Sequence, residues 1–349
     1  MSKCAKTYYR RDIDGLRAIA VLGVVLFHAY PELMPGGFIG VDVFFVISGF
    51  LITKQILQRS SEKYFYLRFL LRRLGRTVPA LFLMVCGVVL LGYFLLLPAE
   101  LFHLSRHIVV SSFFSTNFLL WREDGYFDVS SIEKPLLHLW SLSIEEQFYF
   151  IWPIFLITIL IYFKKPLWPV FVLTILSLAL CVYITPLYHA AAFYLAPFRF
   201  WELMMGGLIA IMNVESYIAS KPKLSAVLSF TGITLLVVSM VFMSPQMNFP
   251  GSLALFPVAG AVFLISATDL GPINRIFLSL PLLVGIGLIS YSLYLWHWPL
   301  LSLVRIVQLN NPPSAIILAA VIVSFLLAVL SWKFVETPFR NWSKLVLKK

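Results

Sequence analysis

The sequence predicts an all-α, polytopic membrane protein of about ten transmembrane helices, with its N- and C-termini in the cytoplasm. The chain is 60% hydrophobic and only 12% charged, and its mean hydropathy is +0.90. Soluble globular domains do not have this balance. The apolar residues are gathered into runs of membrane-spanning length, and the basic residues collect at one set of ends of these runs. Together these observations indicate a membrane protein that crosses the bilayer repeatedly.

The apolar runs place ten helical segments, most of them joined by short connections. A helix of about 20 apolar residues spans the ~30 Å hydrocarbon core of a bilayer. The one long connection covers 98–146. The predicted segments lie near 13–30, 38–57, 77–97, 147–163, 167–185, 197–213, 224–243, 252–268, 284–307 and 314–334.

The basic residues set the predicted orientation. With a cytoplasmic N-terminus, 21 of the 27 basic residues fall in cytoplasmic segments, four fall outside, and Arg17 and Arg199 lie within spans. Lysine and arginine are retained on the cytoplasmic side of membrane proteins, so this bias favours cytoplasmic termini. The cytoplasmic group comprises Lys3, Lys6, Arg10, Arg11, Lys54, Arg59, Lys63, Arg68, Arg72, Arg73, Arg76, Lys164, Lys165, Lys221, Lys223, Arg275, Lys333, Arg340, Lys344, Lys348 and Lys349.

Residues 101–121 are apolar enough to suggest an eleventh span. Counting them as one would move the later basic connections and the basic C-terminal tail to the outer side, against the charge bias. We therefore predict an outer-face element that is re-entrant or interfacial. Elsewhere, Gly206 and Gly207 are predicted points of close helix packing.

Composition also narrows the functional classes. The net charge of +11 follows from membrane topology, and no nucleic acid partner is expected. Cys4, Cys86 and Cys181 lie far apart and predict neither a disulfide framework nor a metal site. The basic N-terminus runs into an apolar segment that holds Arg17 and lacks a small-residue cleavage site, so it is interpreted as a retained first helix.

Arg17 and His28 are the most informative pair, because both lie in the first predicted helix and face the same way. They are eleven residues apart, which brings them within about 20° of three full turns and ~16 Å apart along the axis. An arginine at that depth costs on the order of 2.5–3.5 kcal/mol, and such groups usually face an internal cavity. We expect the pair to line one passage through the membrane. The alternative is an arginine that snorkels and a histidine at the far headgroup layer.

A cytoplasmic layer of polar groups is predicted around Arg17 and the sequence RRLGRTVP. Arg73 and Arg76 lie one turn apart, and Pro79 suits the first turn of a helix. Arginines beside a helix N-terminus form a reasonable phosphate-binding surface. The alternative is ordinary anchoring by cytoplasmic basic residues.

An outer layer is predicted to be richer in ionisable groups, and their similar depth on different helices suggests a water-accessible pocket. Alternatives remain for several of them. Ser143 and Glu146 fit a capping box, which leaves Glu145 as the better candidate for chemistry. Arg199 and Glu202 can neutralise each other, and Asp42 can pair with a neighbouring helix. His297 lies among aromatic residues and is predicted to be structural. The layer consists of His28, Asp42, His138, Glu145, Glu146, Gln147, Arg199, Glu202 and His297.

The two layers suit a reaction that crosses the membrane. An anionic donor would bind among the inner arginines, and a histidine at the far end would accept a proton from a hydroxyl group. A carboxylate such as Glu145 or Asp42 would orient the imidazole, and an arginine would stabilise an oxyanion.

Several blocks of the sequence resemble the acyltransferase-3 family of integral membrane O-acyltransferases. The first is DIDGLRAIAVLGVVLFH, in which ten residues separate Arg17 from His28. The other blocks follow in the family's order along nearly the whole chain. They are GGFIGVDVFFVISGFLIT (36–53), RRLGRTVP (72–79), HLWSLSIEEQFYFIWP (138–153), FRFWELMMGG (198–207), ISYSLYLWHWPL (289–300) and ETPFRNW (336–342).

The resemblance implies a ten-helix enzyme of the bacterial inner membrane. It would take an acyl group, usually acetyl, from cytoplasmic acyl-coenzyme A as the donor and transfer it to a hydroxyl of an extracytoplasmic glycan. It also implies that Arg17 and His28 are the essential pair and that Arg73 and Arg76 handle the coenzyme. Ser143–Gln147 would form a further functional block. We assign His28, Arg17 and Glu145 as catalytic candidates and Arg17, Arg73 and Arg76 as donor-binding candidates.

The substrate-binding candidates are Asp42, Glu146, Gln147, Arg199 and Glu202, and no metal is expected.

Many relatives continue past the ETPFRNW motif into a periplasmic hydrolase-like domain. Because this sequence stops at Lys349, residues 1–349 are expected to form a single transmembrane domain. The chain resembles stand-alone proteins that O-acetylate lipopolysaccharide O-antigen sugars.

Two other functions remain open at this stage. The chain could be a transporter or flippase for an anionic small molecule or a lipid-linked sugar, although no transporter-like repeat is seen. It could also be a non-catalytic partner in a polysaccharide-assembly complex. The acceptor hydroxyl, the length of the acyl group, the choice between direct transfer and a covalent acyl-enzyme, and the oligomeric state are not predicted.

Overall fold

The computed structural model describes residues 9–123, 131–163 and 165–346, and all regular elements in these ranges are helical. This confirms the all-α prediction. The predictions for Lys3, Cys4, Lys6, Lys164, Lys348 and Lys349 lie outside the described residues.

Sixteen α-helices follow one another along the described chain, and each of the ten predicted segments overlaps at least one of them. Short 3-10 or π turns precede α2, follow α12 and join α15 to α16. The helices are α1 Arg11–Ala29, α2 Gly40–Arg59, α3 Phe65–Leu95, α4 Pro98–Ser112, α5 Thr116–Arg122, α6 Leu139–Phe163, α7 Leu167–Ile184, α8 His189–Tyr194, α9 Ala196–Ile211, α10 Val214–Ile218, α11 Pro222–Phe242, α12 Leu255–Ala267, α13 Pro281–Leu288, α14 Ser290–Val307, α15 Ser314–Ser331 and α16 Thr337–Val346.

Six helical stretches are long and apolar enough to cross a membrane, which supports a polytopic membrane protein. Their outer surfaces carry many exposed large apolar side chains, as expected for helices that face lipid. The total number of spans stays a prediction. The six stretches are Gly37–Arg59, Phe65–Leu95, Leu139–Phe163, Leu167–Ile184, Pro222–Phe242 and Ser314–Ser343.

The predicted start of the third helix is wrong, because α3 begins at Phe65 instead of residue 77. Hydropathy ends the predicted span at the arginines, but arginine is a good helix former and does not end a helix. Phe65 and Phe69 are buried and tie this early part of α3 to the core. Pro79 therefore lies inside α3 and not in its first turn. No helix N-terminus accompanies Arg73 and Arg76, and the predicted phosphate site at such an N-terminus is corrected accordingly.

The predicted start of the fourth long helix is also wrong, because α6 begins at Leu139. Ser143 is inside this helix, where its hydroxyl donates to the Leu139 carbonyl at 2.9 Å and accepts the Thr116 N–H at 3.2 Å. The capping-box interpretation of Ser143 and Glu146 is therefore incorrect. Glu145 was predicted to open this helix. It lies instead six residues after Leu139, about 9 Å from the start of α6.

The ambiguous segment 101–121 forms two short helices, α4 and α5, which are separated by a turn at 113–115. At 15 residues, α4 is about 22 Å long and too short to cross a ~30 Å core. Glu123 follows α5, and its carboxylate lies 3.1 Å from His107 of α4 and 2.9 Å from Lys134. Burial raises the pKa of Glu123, but the hydrogen bonds from these two partners outweigh it and lower the pKa to about 2.

Glycines allow a close helix contact where α2 packs against α9. A Cβ atom on Gly206 would lie only 2.0 Å from the Val46 carbonyl oxygen, and one on Gly49 would lie 1.7 Å from the Leu203 carbonyl oxygen. The backbones can approach this closely because neither glycine carries a side chain. The predicted close-packing role of Gly206 is confirmed.

Candidate active site

The inner cavity lies among α1, α2, α3, α6 and α14. It contains about 780 Å³ of empty space, including the part open to solvent. Three arginines from two helices line it, namely Arg17 of α1 and Arg73 and Arg76 of α3. The structure therefore brings together the three residues that the sequence predicts as donor-binding. The Nε atom of Arg17 is buried and has no hydrogen-bond partner among the described residues. Such an orphaned donor fits an anionic ligand.

Two of the arginines are held in place by neighbouring side chains. The guanidinium of Arg73 lies 4.7 Å from the centre of the Tyr149 ring, a cation–π geometry. Arg76 lies 3.7 Å from Glu336, a buried carboxylate that also accepts a hydrogen bond from Ser292 at 3.0 Å. These contacts fix the direction of the guanidinium groups without surrounding them with carboxylates. The inner cavity can therefore receive phosphate or another anion.

Glu145 also lines the inner cavity, although the sequence analysis placed it in the outer layer. The reason is the earlier start of α6, which carries this residue about 9 Å along the helix from its first residue. Both of its oxygens accept hydrogen bonds, one from Ser48 at 3.0 Å and the other from Tyr149 at 3.1 Å. Glu145 is thus a carboxyl group held in the same cavity as the three arginines, and it does not line the outer cavity with His28.

The outer cavity lies further along the same helices and contains about 1130 Å³ of empty space, including the part open to solvent. His28 and His138 line it, together with several aromatic side chains. The aromatic residues at its wall are Phe27, Phe38, Trp140, Phe193, Tyr194, Phe249 and Tyr294. A cavity with a few polar groups among large apolar rings is typical of an organic ligand site.

His28 makes its ring hydrogen bond with His297, whose Nε2 lies 3.0 Å from the His28 Nδ1. The His297 Nδ1 lies 2.7 Å from the Tyr294 carbonyl oxygen and 3.2 Å from the Leu293 carbonyl oxygen. Carbonyl oxygens only accept hydrogen bonds, so the proton of a neutral His297 is assigned to Nδ1. Its Nε2 must then accept the proton of the His28 Nδ1. This assignment leaves the lone pair of the His28 Nε2 free to act as a base.

Sequence reasoning gave His297 a structural role, and it expected a carboxylate such as Glu145 or Asp42 to orient the catalytic imidazole. The structure instead brings a second imidazole to His28 from 269 residues away in the chain. The sequence did offer one signal for this pairing, because His28 and His297 belong to the same predicted outer layer. His138 completes the group, with its ring centre 5.7 Å from that of His297. Both ring nitrogens of His138 lack hydrogen-bond partners among the described residues.

The two cavities adjoin each other, and each of four helices passes from the lining of one cavity to the lining of the other. On α1, Arg17 lines the inner cavity and His28 the outer one. Along α2 and α6 the order is reversed, since their early residues line the outer cavity and their later residues the inner one. On α14 the order again matches α1. Val41 and Tyr294 line both cavities. Arg17 and His28 therefore face two adjoining cavities, where the sequence predicted a single passage.

Asp42, Arg199 and Glu202 form a buried ionic group that lines neither cavity. Arg199 donates to Asp42 at 2.9 Å, and its Nε lies 3.0 Å from Glu202. All three side chains are at most 1% exposed. This arrangement matches the alternative in which Arg199 and Glu202 neutralise each other and Asp42 pairs with a neighbouring helix. Their role as substrate ligands stays a prediction.

Glu146 and Gln147 also lie outside the linings of both cavities. Glu146 is buried, and its Oε1 has no hydrogen-bond partner in the described part of the chain. Gln147 donates to the Phe114 carbonyl at 3.0 Å and to Asn117 at 2.9 Å. It thereby fastens the turn between α4 and α5 to α6.

Within residues 9–123, 131–163 and 165–346, no group of three or more His, Cys, Asp or Glu side chains is arranged to hold a metal ion.

Comparisons with known proteins agree with the resemblance seen in the motifs. A family profile described as an acyltransferase domain matches residues 10–333. A peptidoglycan O-acetyltransferase of Listeria monocytogenes is 33% identical over 95% of this chain and 56% of its own length. A putative O-acetyltransferase of Staphylococcus aureus is 33% identical over 97% of this chain and 59% of its own length. An O-acetyltransferase of the same species is 31% identical over 98% of this chain and 59% of its own length.

The chain thus spans between 56% and 59% of the length of these relatives. No solved structure matches it. The profile covers both cavities, since it includes every residue from Arg17 through Tyr294. Because the profile extends over more than half of the chain and the relatives exceed 30% identity, the chain belongs to the acyltransferase-3 family of integral membrane O-acyltransferases.

Proposed function

We propose that this protein transfers an acyl group, most simply acetyl, from cytoplasmic acyl-coenzyme A to a hydroxyl group of an extracytoplasmic glycan. The observation that carries the proposal is the pair of adjoining cavities, one lined by arginines and the other by histidines. The family assignment supports acyl transfer as the reaction class. The predicted topology, in which the Arg17 end of α1 is cytoplasmic, supports the inner cavity as the donor side.

The donor would bind in the inner cavity through its phosphate groups. Arg17, Arg73 and Arg76 supply three guanidinium groups, and guanidinium matches the geometry of phosphate oxygens. The unpartnered Nε of Arg17 would gain a hydrogen-bond acceptor. Glu145 limits the excess of positive charge in the cavity and holds Tyr149 beneath Arg73. Glu145 therefore stays our candidate for a catalytic carboxylate on the donor side.

The chemical step follows from the free lone pair of the His28 Nε2. The acceptor hydroxyl gives its proton to this nitrogen while its oxygen attacks the thioester carbonyl carbon. The carbon–sulfur bond then breaks, and the departing thiolate takes up the proton from His28. The products are the glycan ester and free coenzyme A, so atoms and charges balance. Arg17 would act by holding the donor, because it lies eleven residues, or ~16 Å along α1, from His28 and the reacting carbonyl.

The acceptor would enter the outer cavity, whose aromatic wall offers flat apolar surfaces to a sugar ring. One relative is named a peptidoglycan O-acetyltransferase, which makes peptidoglycan an acceptor to test. Lipopolysaccharide O-antigen is the other acceptor to test, because the sequence resembles stand-alone proteins that O-acetylate its sugars. For either acceptor we propose a location in a bacterial inner membrane, with this cavity facing outward. Asp42, Arg199 and Glu202 would support the cavity by fixing α2 against α9 from behind its wall.

The test measures acyl transfer by purified protein in proteoliposomes. Acetyl-coenzyme A labelled in the acetyl group is supplied on the inner face, and peptidoglycan fragments or O-antigen oligosaccharides are supplied on the outer face. We expect labelled ester and equal amounts of free coenzyme A from the wild type. His28→Ala should reduce the rate by about 10²–10⁴-fold because the general base is lost. His103→Ala is the matched control, because His103 is an exposed histidine that lines neither cavity. Unchanged ester formation by His28→Ala at equal protein level would refute the assignment.

A transporter or flippase is the second candidate, because two adjoining cavities that carry arginines and histidines also suit a translocation route. The same proteoliposomes separate the two functions. Movement of an anionic molecule or lipid-linked sugar without release of free coenzyme A would favour transport.

A non-catalytic partner in polysaccharide assembly is the third alternative. It predicts that Arg17→Ala disturbs a complex with other assembly proteins but leaves ester formation intact.

A further inference from the structure

Two side chains separate the inner cavity from the outer cavity, namely Val41 of α2 and Tyr294 of α14. They are the residues that line both cavities. On either side of them the linings differ. Ser48 on α2 and Tyr291 on α14 line the inner cavity and not the outer one, while Phe38 just before α2 lines the outer cavity and not the inner one. The partition between the cavities is therefore about one residue thick.

Tyr294 is anchored at the partition through its hydroxyl group and through ring contacts. Its hydroxyl lies 3.0 Å from the His138 carbonyl oxygen and 2.6 Å from the Ser141 hydroxyl. A phenol has one proton, so if the carbonyl accepts it, the serine donates to the phenol oxygen. The Tyr294 ring centre lies 5.4 Å from the ring centres of His138 and His297. The ring is therefore fixed between α6 and α14, directly below the histidines.

The reaction requires the thioester carbonyl to come within bonding distance of a hydroxyl in the outer cavity. The coenzyme's phosphates stay among the arginines of the inner cavity, so the acyl end must reach the partition. An acetyl group has only one methyl beyond the carbonyl carbon. A longer acyl chain has more carbon atoms beyond the carbonyl and needs room for them at the partition. The side chains at the partition therefore limit the room for the part of the acyl chain that extends beyond the carbonyl carbon.

Resting on the proposed function, we propose that Tyr294 is the residue that selects the acyl chain by length, and that it does so by blocking space between the two cavities. Val41 forms the opposite wall, but its short side chain is 8% exposed and packed against the core. Tyr294 supplies the larger bulk and is anchored at its hydroxyl. Removing its ring opens the route but keeps the three arginines, the hydrogen bond between His28 and His297, and the Tyr294 backbone carbonyl next to the His297 Nδ1.

The experiment compares transfer from acetyl-, butyryl- and hexanoyl-coenzyme A by the wild type, Tyr294→Ala and Tyr294→Phe. We expect the wild type to prefer acetyl. Tyr294→Ala should raise the ratio of hexanoyl to acetyl transfer by about 10-fold or more, since a few methylenes in a fitted site discriminate by about that much. Tyr294→Phe keeps the ring and should leave the ratio within about threefold of the wild type.

Tyr291→Ala is the matched control, because Tyr291 is also a tyrosine of α14 but lines only the inner cavity, where its hydroxyl donates to the Thr77 carbonyl at 2.8 Å. It should change the rates with all three donors in the same proportion. Tyr294→Leu serves as the second variant if Tyr294→Ala does not yield folded protein. An unchanged ratio in a folded Tyr294→Ala or Tyr294→Leu protein overturns the inference while the wild type still transfers acetyl. A wild type that cleaves none of the three donors overturns the proposed function itself.

Discussion

Replacing His297 tests whether a second imidazole sets the tautomer of the base. In His297→Phe the ring keeps its bulk, but no acceptor faces the His28 Nδ1 proton, which now lies 3.0 Å from the His297 Nε2. The tautomer of His28 with its proton on Nδ1 is then no longer stabilised by a hydrogen bond. A neutral hydrogen bond of this kind contributes about 0.5–1.5 kcal/mol net. This energy corresponds to about a 2- to 12-fold change in the population of the competent tautomer.

The expected result is a drop in kcat of about 2- to 12-fold, with the KM for the acyl donor unchanged. The donor KM should not move because His297 lines neither cavity. This loss is far smaller than the ~10²–10⁴-fold loss expected when the base itself is removed. His297→Gln should recover most of the rate, because its amide oxygen can accept the proton of the His28 Nδ1.

The assay is steady-state acyl transfer in proteoliposomes, combined with nitrogen NMR of histidine-labelled protein to identify the protonated ring nitrogen of His28. A wild-type spectrum with the His28 proton on Nε2 would refute the tautomer argument. So would a loss of activity in His297→Phe as large as that in His28→Ala, because His297 would then take part in the chemistry directly. Equal activities of His297→Phe and His297→Gln would show that hydrogen bonding is not what His297 supplies.

Three further predictions concern stability, each measured as a thermal unfolding midpoint in detergent. Arg199→Met leaves two buried carboxylates without their partner and should cost about 3–5 kcal/mol, so an unchanged midpoint would contradict the buried ionic group. Gly206→Val forces a side chain towards a carbonyl oxygen that lies 2.0 Å from the Cβ position; overpacking of this kind costs about 1–3 kcal/mol or more, and a wild-type midpoint would show that the helices can separate freely. The pKa of Glu123 is lowered from an ordinary value of 4.5 to about 2, so its stabilising effect is present above pH ~4.5 and is lost as the pH falls towards ~2. Glu123→Gln should weaken this pH dependence, and identical pH profiles for variant and wild type would rule out the ionic contact as its source.

The sequence anticipated much of the membrane architecture because the signals involved are local. Each apolar run lowers its own free energy in the membrane, so hydropathy found a helix for all ten predicted segments. Arg17 and His28 were predicted to be functional because a charged or polar side chain in such a run is costly wherever the run packs. The gathering of Arg17, Arg73 and Arg76 at one cavity agrees with the inner layer inferred from their order along the chain.

Errors arose where a helix continues past the end of its apolar run. Hydropathy placed the start of α6 near residue 147, but the helix begins at Leu139. Because the helix begins earlier, Glu145 lies in the arginine-lined cavity and not in the outer layer. For the same reason Ser143 lies inside the helix and does not cap it. The same error at α3 placed Pro79 at a helix start that does not exist. Helix propensity and tertiary burial decide these ends, and hydropathy reports neither.

The chain's composition and the spacing of its apolar and basic residues by themselves determined an all-helical membrane protein with an arginine and a histidine on one face of its first helix. Only the tertiary structure decided that His28 is paired with His297, that Glu145 belongs with the arginines, and that Tyr294 stands between the two cavities. The physical reason is that hydropathy and charge act on each segment independently. Partner choice depends on the rotation and depth of helices whose contacting residues lie up to 269 positions apart.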